Sequence, residues 1–151
     1  MDNLKQALYA LCWQYVESRI ATAAEAIRSA QQAAGEETKS SAGDKYETGR
    51  EMMQQETNRN MTQLAEANKL KIALNQIPVD APPAGIVQPG SLVITDSGNF
   101  YIAISAGTLT CHGETCFAVS ITSPIGMQLK GKKASEHFSL NNKQYRILSI
   151  L

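Results

Sequence analysis

Proline is missing from the first half of the chain, because none of residues 1–77 is a proline and four of the five prolines lie in residues 78–90. Since proline interrupts helices, its absence allows long helices there. An excess of one charge is also missing: 14 basic and 14 acidic residues give a formal net charge of zero. A neutral chain has no strong field to attract nucleic acid or an anionic membrane. We therefore expect neither specific DNA binding nor membrane association.

The chain also has no long apolar run, and its number of cysteines is odd. The longest apolar stretch, residues 7–16, is interrupted by Gln14 and is too short to span a bilayer. Residues 1–5 lack the basic start of a signal peptide, so none is expected. Three cysteines do not suit a disulfide framework, and they predict a reducing, cytoplasmic location.

Two apolar stripes at helical spacing run through residues 1–77. The first begins with large residues and continues with smaller ones, and the second is richest in leucine near its end. A polar break at residues 35–43, which contains Gly35 and Gly43, separates them. Two such stripes joined by a short loop predict an antiparallel coiled-coil hairpin over residues 1–77, with its tip at residues 35–47.

Composition changes after residue 77. Residues 78–90 are rich in proline and glycine and are predicted to be a semi-stiff linker. Residues 91–151 contain short β-type runs, a turn at residues 112–114, and a short helix that Ser123 and Pro124 open and Gly131 ends. The predicted strands are residues 92–95, 100–104, 116–121 and 144–150. The chain is therefore predicted to be an α+β protein whose second domain is a small antiparallel sheet with one short helix.

Two acidic residues, Asp44 and Glu47, follow the polar break, at the far tip of the predicted hairpin. One interpretation is structural, since an acid at the N-cap and another three positions later form a capping-box-like pair. The other is chemical, because carboxylate oxygens are the donors that Mg²⁺ prefers. Two carboxylates on a free tip provide too few ligands alone, so a metal site would need a partner.

Cys111 and Cys116 flank the predicted turn and allow a metal or disulfide interpretation. Their spacing is not that of a standard zinc knuckle, and there is no second pair. The interpretation we favour is that of two small strand-end residues that stay reduced.

The segment Ser123-Pro124-Ile125-Gly126-Met127-Gln128-Leu129-Lys130-Gly131-Lys132-Lys133 resembles the C-terminal signature of the GreA/GreB transcript cleavage factors. The last predicted strand resembles that family's closing strand. Gly43-Asp44-Lys45-Tyr46-Glu47 is similar to the Gly-Asp-x-x-Glu motif at the tip of the family's N-terminal coiled coil. The resemblance covers the whole chain in architecture and two short motifs in detail.

The resemblance implies a function in transcription elongation. It implies an FKBP-like C-terminal domain, residues 91–151, that docks at the rim of the secondary channel of RNA polymerase, while the coiled-coil tip reaches the active site. Asp44 and Glu47 would help to hold a catalytic Mg²⁺ there, only in the complex, near the 3′ end of the nascent RNA. The polymerase would cleave backtracked RNA, so the chain would not itself be an enzyme. Tip binding would involve Lys45 and Tyr46, and docking Ser123, Pro124, Gly126, Lys130, Lys132 and Lys133.

The tip departs from the family pattern, which usually reads Asp-Leu-Ser-Glu. Here Lys45 and Tyr46 stand between the two acids. This difference motivates an alternative function, a regulator or inhibitor that binds the secondary channel without stimulating cleavage. A third hypothesis, from another class, is a coiled-coil adaptor unrelated to transcription.

Overall fold

The structure, a computed structural model of the chain, describes residues 2–40, 43–80 and 82–151, and the side chains of residues 4–33, 49–80 and 82–151. Two helices come first, α1 (Asp2–Ser40) and α2 (Gly43–Asn75). Six strands and a short helix, α3 (Pro124–Leu129), follow. The prediction of a mixed α+β chain is confirmed. No helix in the described ranges is long and apolar enough to cross a membrane.

The helical break is shorter than the sequence predicts. Helix α1 continues through Gly35 to Ser40, whereas the prediction placed the break at residues 35–43. One glycine costs a helix interior only about 1 kcal/mol relative to alanine, and helix formers such as alanine, glutamate and lysine surround it. Gly35 therefore does not end the helix.

The chain forms two compact units. The sheet unit comprises Met1–Tyr15 and Ile72–Leu151, and the helical unit comprises Val16–Lys71. The helical ends at residues 2–15 and 72–75, which the sequence predicted to belong to the hairpin, thus cluster with the sheet.

Small side chains fill the contact between the two helices of the helical unit. Its buried positions are Val16, Ala23, Thr57 and Ala67. The guanidinium of Arg19 on α1 donates to Gln63 Oε1 on α2 at 3.2 Å. Arg19 and Gln63 lie at nearly equal sequence distances from the break between the helices, so the helices run in opposite directions.

The sheet has six strands in the order β3-β4-β2-β1-β6-β5. They are β1 (Leu92–Thr95), β2 (Gly98–Ile102), β3 (Gly107–Cys111), β4 (Glu114–Val119), β5 (His137–Leu140) and β6 (Lys143–Ile150). The sequence predicted an antiparallel sheet, and this prediction is wrong at one place, because β2 and β4 pair in parallel. Two reversals separate β2 from β4, so they run the same way, and β4 rather than β3 lies beside β2.

One face of the sheet packs against α3. Its core consists of apolar residues from the strands, α3 and the Pro-rich segment: Val87, Val93, Phe100, Ile102, Ile125, Leu129, Phe138 and Ile147. Phe138 and Tyr145, cross-strand neighbours, stack with ring centroids 4.9 Å apart. Because side chains alternate along a strand, Tyr101 lies on the opposite face from Phe100 and Ile102.

That opposite face is close to the N-terminal part of α1. Tyr101 is fully buried, and its phenol lies near Cys12 and Tyr9 of α1. Leu8, Cys12 and Leu74 are also fully buried. The hydroxyl of Tyr9 donates to the carbonyl of Leu74 at 3.1 Å, which joins the two helical ends of the sheet unit.

The Pro-rich segment, predicted as a linker over residues 78–90, is attached to the sheet unit at its C-terminal end. Val87 is buried in the core, and its N–H donates to the carbonyl of Lys132 at 2.9 Å. The N–H of Gly131 donates back to the carbonyl of Val87, also at 2.9 Å. Gly90 donates to Ile102 at 2.7 Å. These bonds attach the end of the segment to the turn after α3 and to β2.

Candidate functional site

Helix α3 begins with a capped turn that the sequence predicted. Ser123 is the N-cap: its Oγ accepts from the N–H of Gly126 at 3.0 Å and donates to the carbonyl of Ser120 at 2.7 Å. Pro124 occupies the first turn, where a missing N–H costs nothing. Both residues therefore have local structural roles that fix where α3 starts.

Gly126 lets α3 approach the preceding loop closely. A Cβ at this position would lie 1.9 Å from the carbonyl oxygen of Ser120 and 2.9 Å from the main chain of Ile121. Main-chain atoms cannot turn aside as a flexible side chain can, so any larger residue would push α3 away. Gly131, with φ of 78°, reverses the chain after the helix.

The exposed positions of the same segment form a surface. Met127 is 63% exposed, and Lys130 and Lys133 are also exposed, whereas Leu129 is fully buried. Lys132 is half-buried and its carbonyl is held by Val87. Of the predicted docking residues, Ser123 and Gly126 thus maintain the fold, while Lys130 and Lys133 present charge to solvent. Met127 was not singled out from the sequence. The signal that could have found it is a methionine next to apolar positions that face the core.

The predicted tip residues lie in the first turns of α2, which begins at Gly43. The side chains of Asp44, Lys45, Tyr46 and Glu47 are outside the described residues. Asp44 and Glu47 are three positions apart in a helix, and positions with this spacing share one face. Elsewhere in the described part of the chain, no three histidine, cysteine or acidic side chains come together to hold a metal ion.

The three cysteines are free thiols in different environments. Burial raises the pKa of Cys12 to about 12. The pKa of Cys116 is also raised, first by burial and then by Glu114 and Cys111. Cys111 pairs with Glu114 across the hairpin and Cys116 pairs with Leu109, so the two thiols are diagonal rather than opposite. Diagonal positions are about 7–8 Å apart, beyond the usual reach of a disulfide.

Tyr101 is a residue that the sequence did not single out. Its hydroxyl is fully buried and finds no hydrogen-bond partner among the described residues. Burial is the first cause of its raised pKa, and Cys12 and Tyr9 add to it. A buried hydroxyl without a partner loses its bonds to water, which costs about 1–3 kcal/mol.

No protein-family model matches this chain, and no curated protein matches it significantly. Its function is therefore inferred from its own residues. Three features are relevant: a capped helix on a six-stranded sheet, an exposed surface of methionine and lysine, and two acidic residues at the start of α2.

Proposed function

We propose that this chain is a Gre-type transcription elongation factor of the cytoplasm. Its two long helices would pair as an antiparallel coiled coil, and its C-terminal part would be FKBP-like. The start of α2 would enter the secondary channel of RNA polymerase, and the polymerase would then cleave backtracked RNA.

The observation that carries this proposal is the way in which the Gre-like signature fits the fold. Ser123 caps α3, Gly126 allows its close approach, and Leu129 fills the core. Each of these signature residues thus has a place in one local arrangement, and this supports the proposal. That arrangement follows two long helices, in the element order that the resemblance implies.

The helical unit supports insertion into a narrow space. Its buried residues include Ala23, Thr57 and Ala67, and small residues let helices approach closely. Glycine and alanine are also frequent nearer the break, over residues 33–43. A slim pair of helices suits a channel better than a helical pair with bulky residues along its contact.

The chemistry proposed for Asp44 and Glu47 is metal positioning. Mg²⁺ accepts one or two protein carboxylates and keeps several waters. In the complex, the two acids would add ligands to a polymerase metal site, which supplies the activated water for RNA hydrolysis. This chain would orient that site, and the polymerase would be the nuclease.

The alternative function, a channel-binding regulator without cleavage activity, is favoured by one feature. Lys45 places a cation, and Tyr46 a bulky ring, between the two acids. A lysine beside the carboxylates competes with a metal ion for them, which would weaken metal recruitment without preventing binding to the polymerase.

Two measurements separate these functions and the adaptor hypothesis. The first is binding to core RNA polymerase at low salt, which the proposal predicts and which an adaptor unrelated to transcription would not show. The second is RNA cleavage in stalled, backtracked complexes at saturating factor. Binding with intact RNA would establish the regulator instead of the cleavage factor.

A further inference from the structure

Strand β3 forms one edge of the sheet and lacks the features that usually keep an edge unpaired. It is outermost in the strand order, and its sequence, Gly-Thr-Leu-Thr-Cys, contains neither a charge nor a proline. Thr108 and Thr110 are exposed, while Leu109 between them is buried. Natural edges are commonly protected by lysine, proline or a bulge, because their free main-chain groups can pair with another chain.

The turn after β3 fixes which of its main-chain groups point outward. His112 and Gly113 both have positive φ and form a two-residue turn of type I′, so Cys111 and Glu114 are a hydrogen-bonded pair. Hydrogen-bonded and non-bonded pairs alternate along an antiparallel ladder. Leu109 is therefore bonded to β4, and Thr108 and Thr110 direct their N–H and C=O groups away from it. No strand of the described chain lies on that side.

The edge is symmetrical about Leu109, with a threonine on either side. If two copies pair antiparallel about this residue, Thr108 of each lies opposite Thr110 of the other. These are the residues whose main-chain groups point outward, so each pair can exchange both hydrogen bonds. Opposed threonines are a favourable cross-strand pair, and no charge on the strand repels its own copy. This self-complementarity is what a two-fold interface requires.

We propose that two copies of this chain associate through β3, which joins their sheets across a two-fold axis centred on Leu109. An exposed ring lies beside this edge: Phe117 is 41% exposed and is paired with Thr108 in the ladder. A second copy at the edge covers part of this apolar surface. The inference goes beyond the proposed function, because β3 lies outside both α3 and the start of α2.

Sedimentation over a concentration series, with a proline variant at each edge, tests the dimer. In Thr110→Pro the lost N–H is one that points away from β4, so the ladder within the chain is kept. The matched control is Ser139→Pro in β5, whose N–H also points outward because the Asn141-Asn142 turn makes Leu140 and Lys143 the bonded pair. We expect the wild type to dimerise and Ser139→Pro to dimerise with the same dissociation constant. For Thr110→Pro we expect a dissociation constant at least about tenfold higher.

A pair of charge variants tests the register without proline. In T108K/T110E, each lysine faces a glutamate of the other copy, and the dimer should persist and become sensitive to salt. In T108K/T110K, lysine faces lysine and the dimer should be lost. Circular dichroism verifies that the variants are folded. The proposal is overturned if the wild type stays monomeric, and this holds even if the β3 edge binds an extended peptide instead of a second copy. It is also overturned if both charge variants dimerise equally.

Discussion

At the scale of single residues, the two tyrosines near the N-terminal part of α1 make opposite contributions to stability. Tyr9 donates to the carbonyl of Leu74, whereas the buried hydroxyl of Tyr101 finds no partner among the described residues. Tyr101→Phe removes an unsatisfied polar group and should raise the free energy of unfolding by about 1 kcal/mol or more. Tyr9→Phe removes a satisfied bond and should lower it by about 1 kcal/mol. Chemical denaturation measures both, and a loss of stability in Tyr101→Phe would contradict this account.

Gly126 is the residue on which the position of α3 depends most. Gly126→Ala forces a Cβ into the main chain of Ser120 and Ile121, and should cost at least about 3 kcal/mol, as the larger steric mutations do. Gly85→Ala is the control, because its Cβ would meet nothing within 4 Å and only its φ of 81° opposes the change, at about 1–2 kcal/mol. Thermal denaturation compares them, and similar losses for both would refute the close approach.

At the scale of elements, the continuation of α1 through Gly35 is testable. A glycine within a helix costs about 0.5–1 kcal/mol relative to alanine, so Gly35→Ala should stabilise the helix by that amount. Amide hydrogen exchange at residues 30–40 should slow. Faster exchange, or a loss of helical circular dichroism, would instead place the end of α1 at Gly35, as the sequence predicted.

The sequence predicts elements with strong local signals and not the pairing between them. Strand β1 lies where the β-type run at residues 92–95 indicated, and α3 begins where Ser123 and Pro124 indicated. Strand β5 was not predicted, because its four residues follow a charged stretch and owe their conformation to pairing with β6. The parallel pairing of β2 with β4 is likewise a tertiary choice that local sequence does not record.

The candidate site divides in the same way. Ser123 and Gly131 could be predicted from the sequence, because helix capping and helix termination each favour particular residue types. Gly126 was expected only as a docking residue, through the resemblance, and its close approach to Ser120 and Ile121 comes from the structure alone. The exposure of Met127 and the burial of Tyr101 depend on what the rest of the chain covers, so only the structure gives them.

At the scale of the whole molecule, buried thiol and phenol groups make the stability of the fold depend on pH. The pKa of Cys12 rises from its ordinary value of 9.0 to about 12, and the pKa values of Cys116 and Tyr101 rise too. The folded state therefore holds these protons more tightly than the unfolded state. Their stabilisation is fully present below pH 9 and is lost as the pH rises toward 12.

We therefore expect the free energy of unfolding to fall above pH 9, by up to about 1.4 kcal/mol per pH unit for each group that titrates. Denaturant titrations at pH 7 and at increasingly alkaline pH measure this loss. The matched variant is Cys12→Ala, which removes one of the groups and should make the pH dependence shallower. A dependence as steep as that of the wild type would show that Cys12 does not contribute.

The central claim is that Asp44 and Glu47 complete a metal site in RNA polymerase. Its most direct test is the rate of RNA cleavage in backtracked complexes across a Mg²⁺ titration, with Asp44→Asn/Glu47→Gln as the variant of equal shape. We expect the wild type to accelerate cleavage, and the variant to bind the polymerase but to accelerate it at least about a hundredfold less, since a metal stabilises the transition state by several kcal/mol. High Mg²⁺ should restore part of the loss. Intact RNA with bound wild-type protein, or equal cleavage by the variant, would contradict the claim.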